Sequence, residues 1–405
     1  MTRTIKLRRS LTLPLVTLYG LGNILGAGIY VLVGKVAGFA GGGTTMSFLL
    51  AMIIAGITAF SYMELAGRFP VSASVSVYLH KAFGRRWLSV LIGLIMVGGG
   101  ITSATVLSKG FAGYLSVFIP LPTLIASTGL LILLGYLAYR GMGESAIIAS
   151  IFTVAEIAGL ALVINSGKQY LSQINISDVF QIDSGLGLAG IMMGAFLAFY
   201  AFIGFEDMVN VSEEVKNPRR TMPIAILLSL ILSTILYLLV VIISLAVVSP
   251  DELAASSAPL SLVYESATSN APVFISAIGI AAAINGVIVQ IIMGSRILYG
   301  LAKQGWLHKE LAKLHKVRRT PVLATVFVTS LMIIAGLLLP LVALAELTSF
   351  LVLVVFCLVN VSLLKIKSQH KNHGGFITVP KIVPIIGALS CLLMIGYQIF
   401  TQIKY

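Results

Sequence analysis

Eleven stretches of about 20 or more apolar residues, the length a bilayer's hydrocarbon core requires, run along this chain. They fall at 12–37, 44–66, 88–118, 123–140, 145–166, 188–211, 223–248, 272–302, 322–340, 343–364 and 382–401. The chain has 405 residues, of which 58% are hydrophobic and only 10% charged, with a mean hydropathy of +1.03. A water-soluble fold could not hide that much apolar surface, so lipid is the expected solvent and the stretches read as membrane-spanning helices.

The net charge of +13 would suggest a nucleic-acid partner if it formed one basic face. It does not, because the cations sit in short segments between apolar runs. They cluster at the N-terminus, 68–86, around Arg140, and at 216–220, 303–319 and 365–381. The intervening connections at 38–45, 119–122, 165–187, 249–271 and 340–344 carry almost none. The positive-inside rule then predicts an integral cell-membrane protein with a cytoplasmic tail at 1–11 and the C-terminus outside. The basic N-terminus lacks a cleavage-site pattern, so it reads as that tail and not as a signal peptide. Cys357 and Cys391 both lie in apolar runs, which argues against a disulfide framework or a metal-ligand cluster.

Two of the runs are interrupted. One breaks at Gly26-Ala27-Gly28, the other between Ala201 and Glu206. Non-helical backbone deep in an apolar run is tolerated only where protein or a watery cavity satisfies its polar groups. A matched pair, one per half of a chain, points to the substrate site of a secondary transporter. The division predicts two five-helix repeats of opposite topology, 12–166 and 188–364, each led by a broken helix, followed by a cytoplasmic loop and eleventh helix in 365–405. At the first break the half-helix after Gly26 would aim N–H groups and its positive dipole end at a carboxylate. Carbonyls around 201–203 would accept from an ammonium. Ile24, Gly26, Ala27, Gly28 and Ile29 are therefore candidate substrate contacts in the first break, with Tyr200, Phe202, Ile203 and Gly204 in the second. The competing reading of Gly26-Ala27-Gly28 is a small-residue packing face, and that of Phe202 is a core aromatic.

The segments around these breaks resemble the amino acid–polyamine–organocation (APC) transporter superfamily. The resemblance rests on Gly22-Asn-Ile-Leu-Gly26-Ala27-Gly28-Ile29-Tyr30, on Tyr62-Met-Glu64-Leu-Ala-Gly67-Arg68-Phe69-Pro70, and on the stretch from Ala198 through Glu206 with Glu213 to Pro223. Ser295-Arg296-Ile-Leu-Tyr299 through Gly305, ending at Thr320-Pro321, is similar to the family's eighth helix and exit. The resemblance implies an all-α membrane protein of about eleven spans with a LeuT-like core of five plus five inverted-repeat helices, in which helices 1 and 6 are broken. It implies secondary transport of amino acids by alternating access. Proton symport leads, with amino acid exchange or transport of polyamines and cationic amines as alternatives. It further implies that Tyr200 covers the substrate and that Gln290 borders its side chain.

Three departures from the family pattern stand out. Many relatives have twelve spans; many carry a lysine where Glu156 stands; and the cysteine that links some animal members to a heavy chain has no counterpart at 119–122. No disulfide-linked heavy chain is therefore expected; the dispersed cations argue against a nucleic-acid partner, and no bound cofactor is expected.

Glu156 lies mid-span, where a charged carboxylate costs about 2.5–3.5 kcal/mol; it is a candidate for proton coupling, against a buried structural role. Glu206, by resemblance, and Asn210, one helical turn on, complete the candidate coupling and gating set. Asn285 and Gln290 could equally serve as interhelical hydrogen-bonding groups. Lys109 reads as snorkelling to the interface, and Glu64 with Arg68 as a structural i,i+4 ion pair. No phosphate-cradling loop, paired histidine ligands or nucleophile–base set points to an enzyme.

Overall fold

The computed structural model describes residues 9–70, 74–141, 146–173, 187–315, 318, 320–369 and 376–404, without the side chains of residues 27, 74, 146–148, 402 and 404. Much of the long connection at 165–187 thus lies outside the described residues. Every expected apolar run holds a helix, as a backbone that must satisfy itself in lipid requires. In chain order these are α1 (Leu13–Ala40), α2 (Thr44–Arg68), α4 (Arg86–Leu115), α5 (Thr123–Arg140), α6 (Ala146–Gly167), α7 (Gly187–Ala198), α8 (Pro218–Val247), α11 (Val273–Lys303), α12 (Val322–Leu338), α13 (Leu341–Gln369) and α14 (Ile382–Lys404). Among the described residues, nine stretches are long and apolar enough to cross a membrane. The first of them, Leu13–Arg68, contains both α1 and α2, and the 17-residue α12 adds a shorter apolar helix.

Three short helices complete the set: α3 (Ser74–Phe83), α9 (Pro250–Ala255) and α10 (Pro259–Thr268). Of these, α9 opens the connection at 249–271. Its start is fixed by a capping box in which Ser249 and Glu252 satisfy each other's backbone N–H. In α3 the buried Val75, Tyr78, Leu79 and Ala82 form an i, i+3, i+4, i+7 stripe, which folds this basic connection onto α4 and α13.

The exposure pattern is that of a protein in lipid. Leu338 is 73% exposed, Leu393 73% and Ile403 81%, all on the peripheral α12 and α14. In α1, by contrast, Leu25, Ile29, Tyr30 and Leu32 are fully buried. This central helix packs against α6, α7, α8, α9 and α11.

Buried polar groups tie the periphery to this centre. Asn360 of α13 accepts from Ser61 Oγ at 2.6 Å and donates to Thr58 Oγ1 at 2.9 Å. At the cation-rich end, Glu64 is fully buried and accepts from Arg68 Nη2 at 2.7 Å, Lys367 Nζ and the Val379 backbone N–H. The expected ion pair is therefore one side of a larger junction joining α2, α13 and the approach to α14. Lys109 Nζ reaches the Leu339 carbonyl at 2.8 Å, capping the end of α12.

Candidate functional site

Both interruptions are present, and they touch. In α1 the helical geometry fails at Gly26 alone, with φ 21° and ψ −163°. The second break is longer. After α7 the chain tightens into a 3₁₀ turn (Phe199–Phe202), extends at Ile203 (φ −69°, ψ 140°) and turns at Gly204 (φ 131°). It then resumes as a 3₁₀ segment, Phe205–Glu214. A Cβ on Gly204 would overlap the Asn23 carbonyl of α1, so the two unwound backbones lie directly against each other there. Gly28 makes the second close approach: a Cβ on it would sit 3.2 Å from Ala201 Cα and 3.5 Å from the Tyr200 ring.

Breaking a helix strands backbone groups, and side chains take up several of them here. Tyr237 of α8 places its hydroxyl 2.6 Å from the Ile24 carbonyl and 2.9 Å from that of Ala201. One phenol thereby bridges both breaks, its single proton serving one acceptor at a time. Glu206 reaches back to accept from the Gly204 N–H at 2.8 Å, a carboxylate at the positive end of the resumed helix. A parallel pairing holds the breaks together from the cation-rich side. Ser10 and Leu11 donate to the Glu214 carbonyl at 2.9 and 3.0 Å, and Lys216 N–H donates back to Leu11 at 2.8 Å.

Two small adjoining cavities open beside the breaks. They share Ser103, Ile203, Asp207 and Gln290. The one at the breaks is the more polar of the two, lined by Asn23, Gly26, Gly28, Tyr200, Gly204 and Asn285 among others. The second continues towards the cation-rich ends of α4 and α11 and is largely apolar, with Ile95, Met96, Met293, Ile297, Val352 and Val355 beside Glu206 and Asp207. On the opposite side the path is packed shut. Tyr114 donates to the Tyr30 carbonyl at 2.6 Å, Tyr30 donates to the Glu156 carbonyl at 2.8 Å, and Lys35 binds the Ala254 carbonyl of α9.

Of the residues expected from sequence, Ile24, Gly26, Gly28, Tyr200, Ile203, Gly204 and Gln290 line the cavities, and Glu206 joins them. The side chain of Ala27 lies outside the described residues. Ile29 and Phe202 do not line either cavity. Ile29 is fully buried, and Phe202 stacks edge-on to Phe48 and Tyr237 as a core aromatic. Glu156 is buried on α6 and lines neither cavity; its backbone carbonyl accepts from the Tyr30 hydroxyl. Asn210 also lines neither. The sequence placed it on the face of Glu206 by α-helical spacing, but in a 3₁₀ segment residues four apart point about 120° from each other. Of the carbonyls expected to take an ammonium, Ala201's accepts from Tyr237.

Three contributors were not identified from sequence. Tyr237 sits in an unbroken span and gave no signal. Ser103 pairs with the Tyr200 hydroxyl at 3.0 Å; a serine among small residues of a long helix is not distinctive. Asn23, within the quoted motif, lines the polar cavity with an amide nitrogen that is sealed from solvent and has no hydrogen-bond partner among the described residues. Such a buried donor is costly unless an acceptor arrives.

A central cavity between two discontinuous helices, in a bundle otherwise built for lipid, defines a membrane transporter. Residues 11–404 match the amino acid permease family, and the chain belongs to that family. It is 30% identical to the branched-chain amino acid permease BcaP of Bacillus subtilis, over 96% of this chain and 88% of that protein. It is 28% identical to the methylthioribose transporter of the same organism, over 95% of this chain and 87% of the relative. It is also 28% identical to cationic amino acid transporter 3, mitochondrial, of Arabidopsis thaliana, over 95% of this chain and 65% of the relative. The protein is thus an integral membrane transporter of a small molecule and not an enzyme.

Proposed function

We propose that the protein moves an amino acid with an apolar side chain across the cell membrane by alternating access. The observation that carries this reading is the division of the cavity: polar, glycine-lined backbone at the breaks adjoins an apolar extension. The half-helix after Gly26 and the Asn23 amide suit a carboxylate, and Asp207, which lines both cavities, suits the ammonium. Ile95, Met96 and Met293 then receive the side chain. The name of the Bacillus branched-chain relative accords with that choice.

In the orientation the cation distribution favours, the apolar extension leads towards the cytoplasm and the packed tyrosines close the outer side. The repeats 12–166 and 188–364 would exchange these roles by moving against each other around the breaks. Coupling runs to a proton gradient, with Glu206 at the cavity and Glu156, buried on α6 outside its lining, as the candidate carboxylates. Exchange of one amino acid for another is the competing mechanism. A second substrate reading, a cationic amino acid or amine, is favoured by the two carboxylates Glu206 and Asp207 at the cavity and by the name of the Arabidopsis relative.

Uptake into proteoliposomes of each common amino acid, with and without an inward proton gradient, tests the set. Accumulation of branched-chain amino acids only with the gradient supports symport of apolar substrates. Uptake only into preloaded vesicles favours exchange, and uptake of arginine or lysine in preference favours the second substrate reading. Glu156→Gln is expected to flatten the dependence of uptake on pH; an unchanged pH profile removes Glu156 from coupling.

A further inference from the structure

The chain has only two tryptophans, Trp87 and Trp306. They are far apart in sequence, yet both line one depression at the cation-rich end of α4 and α11, with Arg85, Arg86, Val90 and Gly305. The fold brings them together through a turn: Gly305, at φ 73°, ends α11, and the Trp306 N–H closes back on the Leu301 carbonyl at 3.0 Å. The Trp306 ring then lies under the Arg86 guanidinium, 5.5 Å from ring centroid to Cζ. This is a cation–π contact that leaves the guanidinium edge available. Both arginines are exposed, and neither makes an ion pair among the described residues. No acidic residue lines the depression.

We propose that this depression binds the headgroup of an anionic phospholipid. The surface below it selects a lipid over a soluble phosphate. Trp87 is 59% exposed, and Leu91 and Leu94 follow it at 43% and 41% on the same face of α4, at i, i+4 and i+7. That face descends from the arginines into the hydrocarbon region and offers an apolar track for an acyl chain. Two arginines meet the phosphate and the indoles sit at headgroup depth.

Both tryptophans lie in the depression, so intrinsic tryptophan fluorescence reports on it selectively. The full chain is reconstituted in phosphatidylcholine nanodiscs, and quenching is compared between brominated phosphatidylglycerol and brominated phosphatidylcholine. The expected result is a preference for phosphatidylglycerol of roughly tenfold or more, since each cation near the surface favours anionic lipid. The preference should fall to about one in Arg85→Gln/Arg86→Gln and persist in Arg219→Gln/Arg220→Gln, whose arginines lie at the start of α8. If the first double variant does not fold, Arg85→Gln alone should reduce the preference by about threefold. Equal quenching by the two lipids in the wild type overturns the proposal, as does an equal loss in both double variants, which would reduce the effect to diffuse charge. Inorganic phosphate should leave the fluorescence in phosphatidylcholine unchanged; a change would assign the depression to a soluble anion and overturn the lipid assignment.

Discussion

The two breaks solve the same problem in different ways. The first is a single residue wide, and a Cβ on Gly26 would meet nothing within 4 Å. It is a hinge with room around it, facing the cavity. The second spreads over a 3₁₀ turn, an extended residue and a left-handed glycine; it is braced by Glu206 and the Asn23 backbone, and Tyr237 ties it to the first. Stranded backbone groups that are packed and capped hold a shape, whereas those left facing a cavity are available to a ligand. On this view the second break positions the first, and the first supplies most of the recognition.

The sharpest way to break that comparison is at Gly204. Alanine there meets both a forbidden φ and the Asn23 carbonyl, so a loss of roughly 3 kcal/mol or more is expected. A large drop in the detergent unfolding temperature together with loss of uptake is the predicted result; an unaffected Gly204→Ala would mean that the second break is not braced as described. Next comes Gly28→Leu, which keeps helical geometry but fills the space against Ala201 and Tyr200. Substrate binding should fall roughly tenfold or more while the protein stays folded, read by equilibrium binding on a monodisperse sample. Wild-type affinity there would remove Gly28 from the site.

Tyr237→Phe isolates the bridge between the breaks. Removing the hydroxyl takes away the one donor the two buried carbonyls share, a loss of about 1–3 kcal/mol read as a lowered unfolding temperature without any change in substrate preference. Gly26→Ala should be milder than Gly204→Ala. Its backbone, at φ 21° and ψ −163°, opposes the change at a cost of about 1–3 kcal/mol, with no clash added. Uptake should be slowed with a smaller loss of stability than at Gly204. If Gly26→Ala proves more damaging than Gly204→Ala, the assignment of hinge and brace is reversed.

Much of this was legible in the sequence because lipid imposes a simple rule: twenty apolar residues make a helix, and glycines inside one mark a departure from it. That rule located all eleven helical runs and both breaks, and the motifs pointed to the transporter superfamily. What escaped was what depends on packing between distant segments. Nothing in the run 223–248 marks Tyr237 as the residue that joins the breaks. Asn210 was placed by α-helical spacing in a segment that winds as 3₁₀. Glu156 was conspicuous for its charge, but a mid-span position does not say which side of α6 meets the cavity. The stripe in α3 was readable at 75, 78, 79 and 82, yet it lay in a basic connection too short to cross a bilayer.

The central claim is that the junction of the two breaks holds both the carboxylate and the ammonium of an amino acid. Equilibrium binding of leucine to the purified protein, set beside its decarboxylated amine and its deaminated acid, tests this most directly. The account predicts that leucine binds and that each analogue is weaker by roughly tenfold or more, because a site built for a polar group rejects a ligand lacking it. An amine that binds as tightly as leucine would show that the breaks do not cradle a carboxylate, and would contradict the account.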